Sequence, residues 1–196
     1  VGLESDWSPP STFPDLTKCD RIAVDLETRD PNLMKLGPGW CRNDGYVIGV
    51  AVAAGDFIGY YPIRHEGGGN IQPKKVFSWL KKQKPTPNIE KVFHNSMYDL
   101  GWLRAEGIEV QGKIIDTMIA APLLNENRRY YNLNSLAGEY LGEYKNERMM
   151  NKAAEYFGVD PKSGMWQLPS RFVGAYAEQD ASVTLKLWDH LRPLLD

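Results

Sequence analysis

The sequence is short of several things, and each shortage narrows what it can be. Cysteine occurs only at Cys19 and Cys41, with no metal-type spacing and no framework of four or six. Reduced thiols, and with them a cytoplasmic location, are expected rather than a disulfide scaffold. No cluster of cysteine and histidine offers a zinc-type site. No apolar run approaches the ~20 residues of a membrane helix, and no signal-peptide pattern opens the chain. An excess of one charge is also missing. A formal net charge of -2 argues against a passive nucleic-acid binder relying on bulk positive charge. It leaves room for an enzyme that meets phosphates through metal ions and a few local cations. Candidates for those are Lys81, Lys82, Lys84, Arg128, Arg129, Lys145, Arg148 and Lys152, although each one singly reads as a solvated surface residue. The chain opens on Val rather than Met, so an excised or processed piece of something longer is expected.

What is present suffices for one compact domain: 196 residues, 42% of them hydrophobic. Residues 1–19, rich in Pro and Ser, read as a lead-in segment, and residues 20–196 as a single domain. A strand is expected at about 21–27. The stretch "LGPGWCRNDG" then reads as a loop, and "YVIGVAVAAGDFIGYYPI" as a hairpin turning at Ala54-Gly55-Asp56. "HEGGGN" is a flexible loop whose glycines do not lie between a strand and a helix, as a phosphate cradle requires. Pro73 fits the first turn of a helix carrying Val76, Phe77 and Leu80. "KVFH" and "KIID" are short strands, each followed by a helix, "SMYDLGWLRAEG" and "TMIAAPLLN". Further helices are predicted over 133–141, 148–157 and about 170–191. There is no internal repeat. Strands first, then strand–helix alternation, then helices point to a mixed sheet covered by helices, an α/β domain.

Three clusters could carry chemistry, and each also has a plain structural explanation. In "RIAVDLETRD" a strand places Asp25 and Glu27 on one face with Ala23, opposite Ile22, Val24 and Leu26. A wet strand face explains the pair equally well. In "HNSMYDLGWL", Ser96 is a plausible N-cap and Asp99 falls at the capping-box position. Yet Asp99 lies a turn from Leu103, on a face that should be packed. The third cluster is a helical stripe of Phe172, Tyr176, Asp180, Val183, Leu187 and Leu191. An aspartate stands there where an apolar residue is due, and an unpaired buried carboxylate costs several kcal/mol. An arginine partner is one solution, but no cation sits at i±3 or i±4 of Asp180. Together the clusters supply four carboxylates, and oxygen-only ligands suit Mg²⁺ or Mn²⁺. A pair of divalent ions would let Asp25 and Glu27 lie side by side.

In this order Asp25-Leu-Glu27, Asn95-Ser-Met-Tyr-Asp99 and Tyr176-Ala-Glu-Gln-Asp180 resemble the three motifs of the DEDD superfamily of 3′–5′ exonucleases. Tyrosine four residues before the last aspartate marks the DEDDy branch. "GVAVAAGDFIGYYPIRH", "DTMIAAPLLN", "LNSLAGEYLG" and "DASVTLKLWDHLRPLL" resemble the proofreading domain of family A DNA polymerases, and "DLETRDP", "LGPGW", "EGGGN" and "YAEQDA" its phage-encoded members. The likeness covers roughly residues 20–195.

The resemblance implies a ribonuclease H-like (DnaQ-like exonuclease) α/β fold, a mixed five-stranded sheet flanked by helices with the acids at one end. It implies hydrolysis of the terminal phosphodiester at a single-stranded DNA 3′ end, releasing a nucleoside monophosphate, with two Mg²⁺ (or Mn²⁺) ions. By the same resemblance Asp25 bridges the ions, Glu27 and Asp180 complete the first site, and Asp99 holds the second. Tyr176 orients the attacking water, while Asn95, Thr28 and Leu33 lie on the substrate side. Leu33 or Met34 would stand in for the apolar wedge of cellular relatives, from which residues 146–169 also depart. Asp116 reads as a strand-end or helix-capping residue and His94 as a satisfied core histidine; base stacking is an alternative for Phe172 and Trp166, with core packing the better reading of Phe172 and that of Trp166 left open. The partner implied is a polymerase domain in the same longer chain or beside it. A monomer is expected, in the host cytoplasm if phage-encoded. Two alternatives remain: an RNA-trimming exonuclease with the same acids, and a silent scaffold domain, which would be expected to have lost them.

Overall fold

The computed structural model describes residues 3–83 and 88–195; Lys84, one of the candidate cations, lies outside them. Five strands, β1 (Arg21–Arg29), β2 (Tyr46–Ala54), β3 (Phe57–Pro62), β4 (Glu90–Phe93) and β5 (Ile114–Asp116), form one sheet in the order β3-β2-β1-β4-β5. The first three pair antiparallel, and β4 and β5 join β1 in parallel, so the sheet is mixed. The β2–β3 hairpin turns at Gly55-Asp56 as the sequence predicts, and Gly55 takes the positive φ of 57° that such a turn needs.

Helices cover both faces. One face carries α2 (Pro73–Lys82) and α3 (Ser96–Ala105), burying Val76, Phe77, Trp79, Leu80, Trp102 and Leu103 against Ile22, Val24, Leu26, Val50 and Val52. The other carries α4 (Thr117–Leu124), α5 (Leu133–Leu141), α6 (Arg148–Phe157) and α7 (Gly174–Leu191). The remaining helix, α1 (Leu33–Leu36), and 3₁₀ turns at Gly39–Cys41 and Met165–Gln167 lie in connections. The predicted bounds of α5 and α6 match. That of α7 does not: a 3₁₀ turn at Ser170–Phe172 precedes it, and the helix proper starts at Gly174, where the Trp7 indole leaves no room for a Cβ.

Where β1 and β2 run beneath α7 the sheet face is lined by small residues, with larger ones such as Ile48 and Val92 elsewhere on it, and that stretch positions the site. β2 sends Val47, Val50 and Val52 toward α2 and α3, but Ala51 and Ala53 toward α7, where Ala23 of β1 joins them. α7 answers with Ala177 and Ala181, so small residues on both sides let the helix lie close to the sheet. Its stripe is buried as expected: Tyr176, Asp180, Val183, Leu187 and Leu191 all face inward. Truncating fully buried Leu187 to Ala should cost ~2–5 kcal/mol.

The lead-in segment is not a loose tether. Trp7 packs beside Tyr60, Phe13 stacks on Tyr61 with ring centroids 5.0 Å apart, and the Trp79 indole donates to Pro14 O at 2.7 Å. It straps both layers of the domain.

Candidate active site

β1 runs past its parallel partner. Its pairing with β4 ends at Ala23–Val92, leaving the next residues without a neighbour on that edge. Across the other edge Asp25 faces Ala51 and Glu27 faces Gly49, and the register slips immediately afterwards, between Glu27 and Thr28. A Cβ at residue 49 would strike the Tyr60 hydroxyl, so only glycine fits opposite Glu27. The strand therefore delivers both acids at an irregular sheet end.

The close approach of α7 brings Asp180 to them. Oxygen atoms of Asp25, Glu27 and Asp180 lie within 4.8 Å of one another. Asp99 arrives from α3 at the free edge of β1, where the backbone amide of Leu26 donates to its carboxylate. Asp99 is buried, and its Oδ2 has no hydrogen-bond partner among the described residues. That face of β1 is not an open wet face: Ala23 is buried against α7, and Asp25 and Glu27 are half-buried in the cluster. The capping reading of Asp99 fails, because its partner is a strand amide rather than its own helix.

Helix α3 is capped otherwise than predicted. Ser96 is its first helical residue; Asn95 stands before it at φ 74°, a left-handed conformation asparagine tolerates, and makes no side-chain cap. The Asp116 carboxylate does that work. It accepts from the amides of Asn95 (2.9 Å) and Ser96 (2.7 Å), and also from Met118 N at the start of α4 (2.9 Å). One structural aspartate caps two helices. His94 bonds Thr117 Oγ1 at 2.7 Å and Tyr131 O at 2.9 Å, a satisfied core histidine that burial holds down at a pKa of about 4.

Crowding by protein and by each other raises every acid of the cluster. Burial first, then the Asp180 charge, pushes Asp25 up to about 8. Burial and the Asp25 charge hold Glu27 and Asp99 well above the carboxylate range. Burial and Asp180 likewise raise Tyr176, which stays a protonated donor. A group of carboxyls that cannot comfortably ionise lacks positive charge. Oxygen-only donors, an orphaned buried Oδ2 and this shortage of counter-charge all suit hard divalent cations.

One cation is already there. Lys145, in the connection between α5 and α6, places Nζ 3.0 Å from Asp180 Oδ1 and 5.4 Å from the centre of the Tyr176 ring. Sequence spacing missed this partner, because i±3 and i±4 reasoning sees only the residue's own helix.

Beside Glu27 runs a groove of about 400 Å³ lined by Leu26, Thr28, Leu33, Pro38, Asn95, Met97 and Tyr98. Its rim is fixed: Thr28 donates to Tyr98 OH (2.8 Å), which donates to Asp30 (2.9 Å), which in turn accepts from Gly39 N (3.1 Å). Thr28, Leu33 and Asn95 thus share one groove. Met34, the other wedge candidate, does not line it and is 95% exposed. Phe172 is packed in the core, the reading its sequence favours, and is not a stacking platform; Trp166 is half-buried beneath the Arg29 guanidinium at 4.7 Å.

The fold is of the ribonuclease H-like class. The chain belongs to the family A DNA polymerase 3′–5′ exonuclease family, whose model matches residues 9–196. It is 40% identical over 191 residues to the DNA-directed DNA polymerase of Pseudomonas phage M6, covering 94% of this chain and 29% of that one. It is 31% identical over 185 residues to the DNA polymerase DpoZ of Salmonella phage PMBT28, covering 90% and 27%. The chain therefore spans less than a third of these relatives. Among solved structures, Trypanosoma brucei RNase D in complex with RNA U12 shares the fold at a TM-score of 0.67 and 16% identity, covering 91% of this chain and 57% of that one. Brucella melitensis NrnC with bound Mg²⁺ does so at 0.59 and 18%, covering 91% and 75%. No helix among the described residues is long and apolar enough to cross a membrane.

Proposed function

We propose that this domain removes the 3′-terminal nucleotide of single-stranded or frayed DNA with two divalent ions, as a proofreader for a DNA polymerase in the same longer chain or beside it. The observation that carries the reading is the convergence of Asp25, Glu27 and Asp180 within 4.8 Å, with the partnerless Asp99 Oδ2 at the adjoining strand edge. Asp25 would hold both ions, Glu27 and Asp180 the first, and Asp99 the second. Two Mg²⁺ ions, when bound, stabilise the attacking and leaving oxygens of an in-line displacement.

The chain's own residues do the rest. Tyr176, kept protonated by burial and by the neighbouring carboxylates, donates a hydrogen bond that orients the attacking water. The groove of Thr28, Leu33, Asn95 and Met97 receives the terminal nucleotide, with Leu33 as the apolar wedge against its base. Water oxygen bonds to phosphorus as the bond to the penultimate 3′ oxygen breaks. A nucleoside monophosphate and a shortened 3′-hydroxyl strand are the products. Near-neutral charge is no obstacle, because the ions carry the positive charge to the phosphate.

DNA is preferred to RNA as substrate because the similar sequences are DNA polymerases; the RNase D likeness is one of fold. The test is degradation of 5′-labelled single-stranded DNA and RNA of one sequence at one Mg²⁺ concentration. Laddering from the 3′ end of DNA, lost in the Asp25→Ala/Glu27→Ala double variant, is expected. Preference for RNA would favour the exoribonuclease, and cleavage unchanged in the double variant would refute the site.

A further inference from the structure

The proposed mechanism leaves Lys145 without a task, yet the fold holds it with some care. Its side chain is 13% exposed and that of Asp180 8%, so the pair is no ordinary surface bridge. The backbone on either side is clamped by a single side chain: Gln179 accepts from Asn146 N at 2.8 Å and donates to Tyr144 O at 3.2 Å. Lys145 N itself donates to Asn134 Oδ1 of α5 at 3.2 Å. Three successive residues are thus pinned from α7 and α5. The residue that pins two of them sits next to Asp180 in sequence, so the loop and the acid are positioned by the same turn of helix.

An ammonium here is close to the whole cluster. It is paired with Asp180 and lies near enough to Asp25 and Glu27 to interact electrostatically with both. A divalent ion held by Asp25, Glu27 and Asp180 would meet that ammonium as a like charge at short range, in surroundings where such repulsion is weakly screened.

We propose that Lys145 is a built-in counter-ion of the acid cluster which must release Asp180 before a divalent ion loads, and that Gln179 aims it. Lys145 is therefore a positioning residue that sets the metal affinity of the site. When no divalent ion is bound it offsets part of the repulsion among the carboxyls; when one binds, it is displaced. The proposal rests on the metal reading above and adds a competitor to it.

The test begins with a Mn²⁺ titration of the chelator-stripped protein, followed by electron paramagnetic resonance. Lys145→Met should bind Mn²⁺ at least about tenfold more tightly, the effect of deleting a nearby like charge, whereas Lys145→Arg should stay close to wild type. Gln179→Ala should fall between them. A lysine with a merely structural role would give weaker binding in all three. Unchanged or weakened Mn²⁺ binding in Lys145→Met, beside a normal wild-type titration, overturns the lysine proposal alone. A wild type that takes up no Mn²⁺ refutes the metal reading together with it. Wild-type protein offers a second readout that needs no variant: amine acetylation mapped by mass spectrometry. Saturating Ca²⁺ should raise labelling of Lys145 several-fold and leave Lys186, paired with Glu143 on the surface, as an internal reference. Lys145 labelling unaffected by Ca²⁺ would show that the ammonium is not displaced, and the proposal would fall.

Discussion

Buried carboxylates occur at both ends of the central strands, and their fates are opposite. At the start of β4, Glu90 is buried but answered on every side. Arg21 donates at 3.0 Å, the Trp188 indole at 3.1 Å, and Lys113 lies at 3.3 Å. Burial alone would raise its pKa; those hydrogen bonds outweigh it and hold the carboxyl below its usual range. At the other end four acids crowd together with, among the described residues, a single ion pair to a cation, that of Lys145 with Asp180, and all are pushed upward. The helix α7 serves both ends, with Trp188 at one and Asp180 two turns earlier at the other. A charge the protein satisfies by itself belongs to the fold. A charge it leaves unsatisfied marks a place reserved for something brought from outside.

Removing an acid at each end should break the molecule in different ways. Asp25→Ala should cut cleavage by roughly 10³-fold or more, the scale on which losing one member of a cooperative catalytic set is felt. The metal-free melting temperature should not fall, since a repelling carboxyl has gone. A clear loss of stability would put Asp25 with Glu90 among the structural charges. Next in size is Ala51→Leu. Ala51 lies opposite Asp25 beneath α7, so a larger side chain there must push the helix off the sheet. Misplacement by ~1 Å can cost about 10²-fold in rate, and overpacking about 1–3 kcal/mol of stability. Steady-state cleavage and thermal unfolding measure the two parts. A rate unchanged in a folded Ala51→Leu protein would mean that the small-residue face does not set the acid geometry. Glu90→Ala should do the reverse of Asp25→Ala. It should lower stability by about 1–3 kcal/mol, since Arg21 and the Trp188 indole lose their acceptor, and leave the rate per folded molecule intact. Denaturant unfolding beside the cleavage assay would decide it.

Much of this was legible in the sequence, and the parts that were not share a cause. Period-two alternation gave β1, two β-rich runs around Ala54-Gly55-Asp56 gave the hairpin, and the helical stripe through Tyr176 and Asp180 marked the buried face of α7. Those signals are local, set by the geometry of one element. The short helix Leu33–Leu36 was read through because no apolar period runs along it and none of its residues is buried. Ser96 looked like a cap because its own segment offered no rival; the real cap, Asp116, comes from a different strand. Lys145 stood among the candidate cations, but its pairing with Asp180, and the part Gln179 plays in it, was hidden in the same way, since a loop between helices gives no hint of which acid it will face. Contacts across the fold leave no periodic trace, and the site is assembled from such contacts.

The smallest effect tests the comparison most directly, through pH. An acid whose folded pKa is raised makes the fold most stable where it is protonated; that stability is lost as pH rises from its ordinary value, 3.8 for Asp25, through about 8. Buried His65 and half-buried His94 run the other way: both are held down at about 4 from 6.5, so their contribution is present above 6.5 and lost as pH falls through 4. Between pH 6.5 and 8 the folded histidines are neutral and the unfolded ones lose their last protons, so their opposing slope fades and above about pH 7.5 the acids set it. One proton released there is worth up to about 1.4 kcal/mol per pH unit. In a domain of this size that lowers the melting temperature by roughly 3–6 °C across the window. Chelator-treated protein should show that fall by differential scanning calorimetry. Millimolar Mg²⁺ should flatten it, because ions binding only the folded, ionised cluster reverse the penalty, and Asp25→Asn should flatten it without Mg²⁺. A chelated protein already level from pH 6.5 to 8 would mean that the fold satisfies these acids as it satisfies Glu90, and the distinction between the two ends would be lost.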